Sequence, residues 1–399
     1  MAPTYLNRFS PPHITTLVIA TATSTLSMNV FLPSLPGMAR HFEADYAIVQ
    51  LAVSLYLAAT GVFQLFIGPA SDRFGRRPVM LSCFSIFILG TFAAIFAPTI
   101  EVLLACRLLQ AFSAAGIVLS RAIVRDTVDS SEAASMIGYV TMGMALVPMV
   151  APMIGGFLDE IYGWQATFVM TLVLGALAMV VIYFDLGETV ASRSSSMVEQ
   201  FRTFPLLIRS KRFWGYTFTA AFASGAFFAF VGGGPYVATE ILGLSPSGYG
   251  IYFGLISTGY ILGNFLSGRF SRRLGINRMM LTGNIIASAG IALSLFLFLG
   301  GLNHPISLFG PAILVGVGNG MTLPNANAGI VSARPELAGS ASGLGGAMQI
   351  GGGALLSVLA SMLLSPESGP YPLIVVMMIS SFAAVVSTLY VMRTRTGDK

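Results

Sequence analysis

The chain has 399 residues, of which 55% are hydrophobic and 9% charged, against roughly a quarter charged in ordinary soluble domains, which excludes a water-soluble globular fold. The formal net charge of +5 follows from the placement of arginines in loops and reports membrane topology rather than nucleic-acid binding. Cys83 and Cys106 fall near opposite ends of adjacent apolar runs, too far apart to bridge, so neither a disulfide framework nor a zinc site is expected.

A hydrocarbon core about 30 Å thick takes about 20 apolar residues per helix. Such runs recur at approximately 14–36, 48–70, 79–97, 102–120, 134–157, 165–184, 214–237, 250–267, 277–299, 306–330, 338–363 and 372–391. They predict an all-α integral membrane protein with twelve transmembrane helices. The longest polar connection, from about Leu186 to Phe213, divides the runs six and six. The expected organisation is an N-terminal half at 1–187, a linker at 188–212 and a C-terminal half at 213–399. All Lys and Arg except Arg40 and Arg107 fall on one set of loops and termini, so the positive-inside rule places both termini in the cytoplasm.

In chain order, the first run carries one amide, Asn29, with Pro33 and Pro36 close behind it. A strongly polar group there points to an interhelical hydrogen bond or to ligand contact. Tyr56 and Gln64 stand on the second run, which leads into Gly68-Pro-Ala-Ser-Asp-Arg-Phe-Gly-Arg-Arg77. Its glycines, Gly68 and Gly75, permit a tight turn, and Asp72 is placed to cap the next helix or to pair with Arg73, Arg76 or Arg77. In the fourth run Arg107 lies about six residues from the start, roughly 9 Å deep, and Asn29 lies at a matching depth of roughly 10 Å from the same side. Gln110, three residues beyond Arg107, shares its helix face. Arg107 either snorkels to the interface or turns inward.

The fifth run contains Pro148, Pro152, Gly155 and Gly156 among several methionines, and the seventh contains Gly232-Gly-Gly-Pro235. Asn319, Asn325 and Asn327 flank Pro324 in the tenth run, and Gln349 precedes three glycines in the eleventh. Freed backbone groups at such breaks are tolerated only against protein or water, so these helices are expected either to bend during function or to pack closely. Arg269-Phe-Ser-Arg-Arg273 repeats the basic pattern of Arg73 to Arg77, 196 residues later. The repeat implies duplicated halves of the kind that secondary transporters rock around a midplane site.

Gly68 to Arg77 resembles the signature loop of the major facilitator superfamily. Arg107-Leu-Leu-Gln-Ala111 resembles its fourth-helix motif, and Pro148-Met-Val-Ala-Pro-Met-Ile-Gly-Gly156 its antiporter motif. Phe31-Leu-Pro-Ser-Leu-Pro36, Pro324-Asn-Ala-Asn-Ala328 and Ala338-Gly-Ser-Ala-Ser-Gly343 resemble the Bcr/CflA drug-resistance branch. The resemblance covers essentially the whole chain. It implies two pseudo-symmetric six-helix halves in a bacterial inner membrane, exporting a small-molecule drug in exchange for protons, as a monomer without a cofactor.

The family usually carries an aspartate where Asn29 stands, as the proton carrier poised against the arginine. An amide does not titrate, and no acid or histidine falls near the middle of any predicted span. Three readings follow: coupling through a carboxylate at the cavity mouth, Glu101 being closest in sequence to Arg107; an uncoupled carrier or exchanger; or an anionic substrate that neutralises Arg107. Tyr56, Asn29, Arg107, Gln110, Asn319, Asn325 and Gln349 are the candidate substrate or coupling residues. An enzyme is not expected, because His-Glu-x-x-His, Gly-x-Ser-x-Gly and paired acids at membrane depth are missing from the sequence.

Overall fold

The computed structural model describes residues 5–128, 130–190, 204–334 and 337–394. Most of the expected linker, with Arg193 and Arg202, and the C-terminal Arg395 and Lys399 lie outside the described residues. Twelve long helices are found among the described residues: α1 (Ile14–His41), α2 (Tyr46–Phe74), α3 (Arg76–Ile95), α4 (Ile100–Thr127), α5 (Ser130–Tyr162), α6 (Gln165–Asp185), α7 (Lys211–Ile241), α8 (Pro246–Leu274), α9 (Ile276–Leu299), α10 (Pro305–Ala333), α11 (Ala338–Met362) and α12 (Tyr371–Arg393). A short helix, Phe204–Ile208, precedes α7. Ten of these helices are by themselves long and apolar enough to cross a membrane. The other two, α5 and α8, pack on each other.

Helix α1 runs past the predicted end of the first apolar run. Its regular part stops at Asn29, Leu32–Ser34 form a 3₁₀ turn, and Leu35–His41 resume the helix. Pro33 and Pro36 lack the N–H groups that Asn29 and Leu32 carbonyls would need, so the ladder breaks. Both prolines sit in first turns, where no N–H is required, and the chain continues. Asn29 is therefore about 18 Å from the far end of α1, whereas Arg107 is about 10 Å from the start of α4. Arg107 nevertheless meets α1 at the level of Asn29, bonding the Ser27 carbonyl and resting against Phe31, as the sequence suggested.

Helix–helix contacts repeat with a shift of six: α1 packs on α5 and α6 as α7 packs on α11 and α12, and α3–α4 and α2–α4 recur as α9–α10 and α8–α10. Two seams, α2 with α11 and α5 with α8, join the two sets. The repeat is offset by 200 residues rather than 196. Gly75 and Gly275 both have positive φ, +106° and +80°, and both donate N–H to the residue four back, Ser71 and Ser271. Arg272 and Arg273 thus end α8, while Arg76 and Arg77 begin α3. The second basic run sits one helical turn earlier than its apparent counterpart.

Small residues let the seam helices approach. A Cβ at Gly156 would overlap the Pro246 carbonyl oxygen of α8, and one at Gly250 the Pro152 carbonyl oxygen of α5. A Cβ at Gly155 would overlap the Val30 carbonyl oxygen of α1. The antiporter-like run of α5 therefore packs its glycines against α1 on one face and α8 on the other.

Candidate functional site

Arg107 is 1% exposed and lies in the last turn of the first part of α4, just before a 3₁₀ stretch at Ala111–Ser113. Its Nε donates to the Ala52 carbonyl of α2 at 2.9 Å, and its Nη1 donates to the Ser27 carbonyl of α1 at 3.1 Å and to Gln110 Oε1. The rings of Phe31 and Tyr56 lie against the guanidinium, their centroids 4.2 and 4.3 Å from Cζ. Burial and inward bonding rule out the snorkelling alternative.

The break in α1 prepares this site. The last helical bond of its regular part runs from Val30 N–H to Leu26 O, which leaves the next carbonyl, that of Ser27, to Arg107. Gln110 Nε2 donates to Thr91 Oγ1 of α3 at 3.0 Å, and Tyr56 Oη bonds Ser113 Oγ at 2.9 Å and the Ser24 carbonyl at 3.2 Å. Four helices meet at one buried cation.

Ion pairs among the described residues include Arg40–Glu240, Arg76–Asp72 and Arg76–Asp126. Arg107 is in none of them, and its Nη2 has no hydrogen-bond partner. Two backbone carbonyls, one amide oxygen and two ring faces stand where a carboxylate was sought. Each ring face contributes up to about 2 kcal/mol when desolvated, and each bond to a charged donor about 1.5–3 kcal/mol.

Asn29 is buried but does not reach this cluster. Its Nδ2 donates to the Thr25 carbonyl of its own helix at 2.7 Å. Arg107 reaches α1 through the Ser27 carbonyl and the Phe31 ring, and the Asn29 side chain makes neither contact. Glu101 is exposed in the first turn of α4, where the helix dipole favours an anion, and it makes no ion pair with Arg107.

In the other six helices, Asn325 Nδ2 donates to Ser267 Oγ of α8 and to the Met321 carbonyl, both at 2.8 Å. Asn319 is buried, and Gln349 is half-buried. No bond joins these three to the Arg107 cluster. Pro148 is half-buried and Pro152 buried.

The loop from Gly68 to Arg77 forms a second polar centre. Arg76 bonds Asp72 at 2.5 Å and Asp126 at 2.8 Å, and its Nη1 donates to Ser71 Oγ. Glu188, beyond α6, accepts the Arg76 backbone N–H at 2.9 Å, at the N-terminus of α3. Arg77 donates to the carbonyls of Leu186 and Tyr183, both at 2.8 Å. The guanidinium of Arg73 rests over Phe74. Asp185, fully buried, accepts N–H from Leu6 at 2.7 Å and from His13 at 2.8 Å, and the Thr16 hydroxyl at 2.6 Å. The residues leaving α6 thus tie the N-terminal segment and the basic loop together. Sequence reading missed Asp185 and Glu188, and the only available signal was two acids beside an otherwise basic connection.

A third group, also missed, lies across the seams. Gln50 Nε2 donates to Ser357 Oγ at 2.6 Å, Ser361 Oγ donates to Gln50 Oε1 at 3.0 Å, and Tyr46 Oη donates to the Gly232 carbonyl at 2.6 Å. With Arg40–Glu240, these contacts join the halves at the end opposite the Gly68–Arg77 loop.

The family model described as Major Facilitator Superfamily matches residues 17–355 and 233–399. An uncharacterized MFS-type transporter, YdgK, of Bacillus subtilis is 31% identical over 94% of this chain and 93% of its own length. A bicyclomycin resistance protein homolog of Haemophilus influenzae and multidrug resistance protein D of Escherichia coli are each 30% identical over 88% of this chain and 89% of theirs. Among solved structures, a peptide transporter POT in complex with sulfate aligns with a TM-score of 0.77 at 15% identity, covering 96% of this chain and 94% of that one. A bacterial homolog of the lysosomal transporter Spinster aligns at 0.70 and 16%, covering 97% of both. At these identities the structural likeness speaks to fold alone.

Proposed function

The chain belongs to the Major Facilitator Superfamily, in its Bcr/CflA-type drug-resistance branch, and from that premise we propose that it expels small, mainly hydrophobic compounds by alternating access, coupled to proton entry. It is a multi-pass membrane transporter and not an enzyme. The reading is carried by resistance-protein relatives that match across most of the chain. The halves 1–187 and 213–399 rock about the α2–α11 and α5–α8 seams in a monomer whose termini both face the cytoplasm. In that orientation the Gln50, Tyr46 and Arg40 contacts close the outer end. Arg107, Gln110 and Tyr56 act as the coupling centre, with Asn29, Asn319, Asn325 and Gln349 on the substrate path. Gly68, Asp72, Arg73, Gly75, Arg76, Arg77, Pro148, Pro152, Gly155 and Gly156 govern the conformational change.

The test is overexpression in a drug-sensitive host without its own pumps. Tolerance to at least one hydrophobic compound should rise with the wild type and not with Arg107→Ala. Equal tolerance with both would remove Arg107 from the mechanism.

One observation favours a second reading. Arg107 is a buried cation with no acid partner and an unbonded Nη2 among the described residues, and a buried charge favours a compensating anion. An exporter of organic anions or metabolites without proton exchange fits that feature. Uptake into proteoliposomes with and without an imposed pH gradient separates the two readings, and Asn29→Asp tests whether a helix α1 acid restores gradient dependence.

A further inference from the structure

A groove of about 600 Å³ runs along the outer face of the molecule between α7 and α12, with Phe222 on one wall and Ile379, Phe382 and Val386 on the other. Ala383 and Ser387, both small, line it between these larger neighbours. Phe382 and Ile379 are each 64% exposed, as lipid-facing residues are. Towards the end bearing the basic loops, the wall on α7 continues through stacked rings, Trp214–Phe218 at 5.0 Å and Phe218–Phe222 at 6.0 Å. Tyr390 of α12 lies beside Gly215 in the same direction. Trp and Tyr at this level mark the membrane interface.

Beyond the rings the chemistry changes sign. Arg209 and Lys211 are exposed and Arg212 half-buried at the start of α7, and Arg393 is exposed at the end of α12. The close approach of Gly215 to Val391 brings these two ends together. Trp214 Nε1 donates to the Ile208 carbonyl at 2.6 Å and so fixes the end of the short helix, next to Arg209. From Ser387 to Arg393 is six residues, about 9 Å along the helix, within the reach of a phospholipid from glycerol to acyl chain.

We infer that the α7–α12 groove, with Arg209, Arg212 and Arg393 at its basic end, is a site for an anionic phospholipid, the acyl chain lying against Phe222 and Phe382 and the phosphate among the arginines. Charge complementarity selects the occupant: an apolar channel alone accepts any lipid, whereas each juxtamembrane cation adds preference for an anionic headgroup. A cationic partner is repelled by that cluster, and a zwitterionic headgroup, net neutral, gains less from it than an anionic one.

The experiment uses purified full-length protein in neutral detergent, with phosphatidylglycerol and phosphatidylcholine of identical acyl chains. Phosphatidylglycerol should remain as adducts in native mass spectrometry at roughly ten-fold lower concentration and raise Tm by several degrees more. The triple variant Arg209→Gln/Arg212→Gln/Arg393→Gln should lose this preference. Ala383→Phe, which fills the groove and leaves the charges in place, should weaken binding of the diacyl lipid but not of glycerophosphoglycerol, which has no chains. Equal binding of the two lipids by the wild type, or an undiminished preference in the triple variant, overturns the site. Neither readout uses transport, so the result stands apart from the proposed efflux function.

Discussion

Arg107 donates through Nη1 to the carbonyl oxygen of Ser27, 3.1 Å away, at the point where α1 leaves its regular helix. A cation shielded from both solvent and acids is stabilised only by neutral acceptors and ring faces, and its desolvation opposes those gains. Arg107→Met fills the same volume with an apolar chain. We expect its Tm to stay within a few degrees of the wild type while efflux falls at least ten-fold. Arg107→Lys keeps the charge but loses the planar fork that stacks between Phe31 and Tyr56, and should also fail to transport. A Tm loss above 10 °C in Arg107→Met would make the residue a structural pin instead.

Two glycines of the same loop should respond differently to substitution. Gly75 has a φ of +106° and a ψ of +148°, and a Cβ there would overlap the Glu188 carboxylate, so Gly75→Ala incurs backbone strain of about 1–3 kcal/mol and displaces the Glu188 contact with α3. Gly68→Ala meets nothing closer than Val118 at 3.9 Å and gains helix propensity of up to about 1 kcal/mol. Thermal unfolding in detergent should lower Tm for the first variant and leave the second equal or higher.

The seam between α2 and α11 holds a hydrogen-bonded trio, Gln50, Ser357 and Ser361. Removing the amide with Gln50→Leu leaves two buried hydroxyls to find other partners, a cost of about 1–3 kcal/mol confined to the conformation in which the halves touch here. Spin labels on Glu43→Cys and Ser247→Cys should report a longer mean distance in Gln50→Leu than in its parent. An unchanged distance distribution would show that this trio does not hold the end closed.

Gly156 tests the other seam. A Cβ there runs into the Pro246 backbone of α8, and backbone cannot rotate away as a side chain can, so overpacking of about 1–3 kcal/mol is expected. Gly156→Ala should push the same pair of spin labels apart and reduce transport. Gly254→Ala, whose Cβ would sit 3.1 Å from the Met149 carbonyl, should have the milder effect.

Hydropathy made the helices legible because each crosses about 30 Å of hydrocarbon, and Arg107 with Gln110 was legible because polar groups at that depth are costly. Three things were not. The continuation of α1 past Pro36 depends on prolines falling in first turns, which period alone does not reveal. The 200-residue offset is fixed by the backbone at Gly75 and Gly275, whereas the more conspicuous arginine runs match at 196. Gln50, Ser357, Asp185 and Phe31 look ordinary in sequence and gain meaning only from partners 100 or more residues away or on other helices.

Asn29 remains the most direct probe of coupling. Its Nδ2 is a donor, to the Thr25 carbonyl, and an ionised carboxylate at the same position would set oxygen against oxygen. In Asn29→Asp only the protonated acid can keep that bond, so the folded state is favoured at low pH and loses the contribution as pH rises and the proton leaves. Tm measured from pH 5 to 8, relative to wild type at each pH, should therefore fall in the variant as pH increases. A flat difference would mean that the side chain has turned from Thr25 towards water or another polar partner.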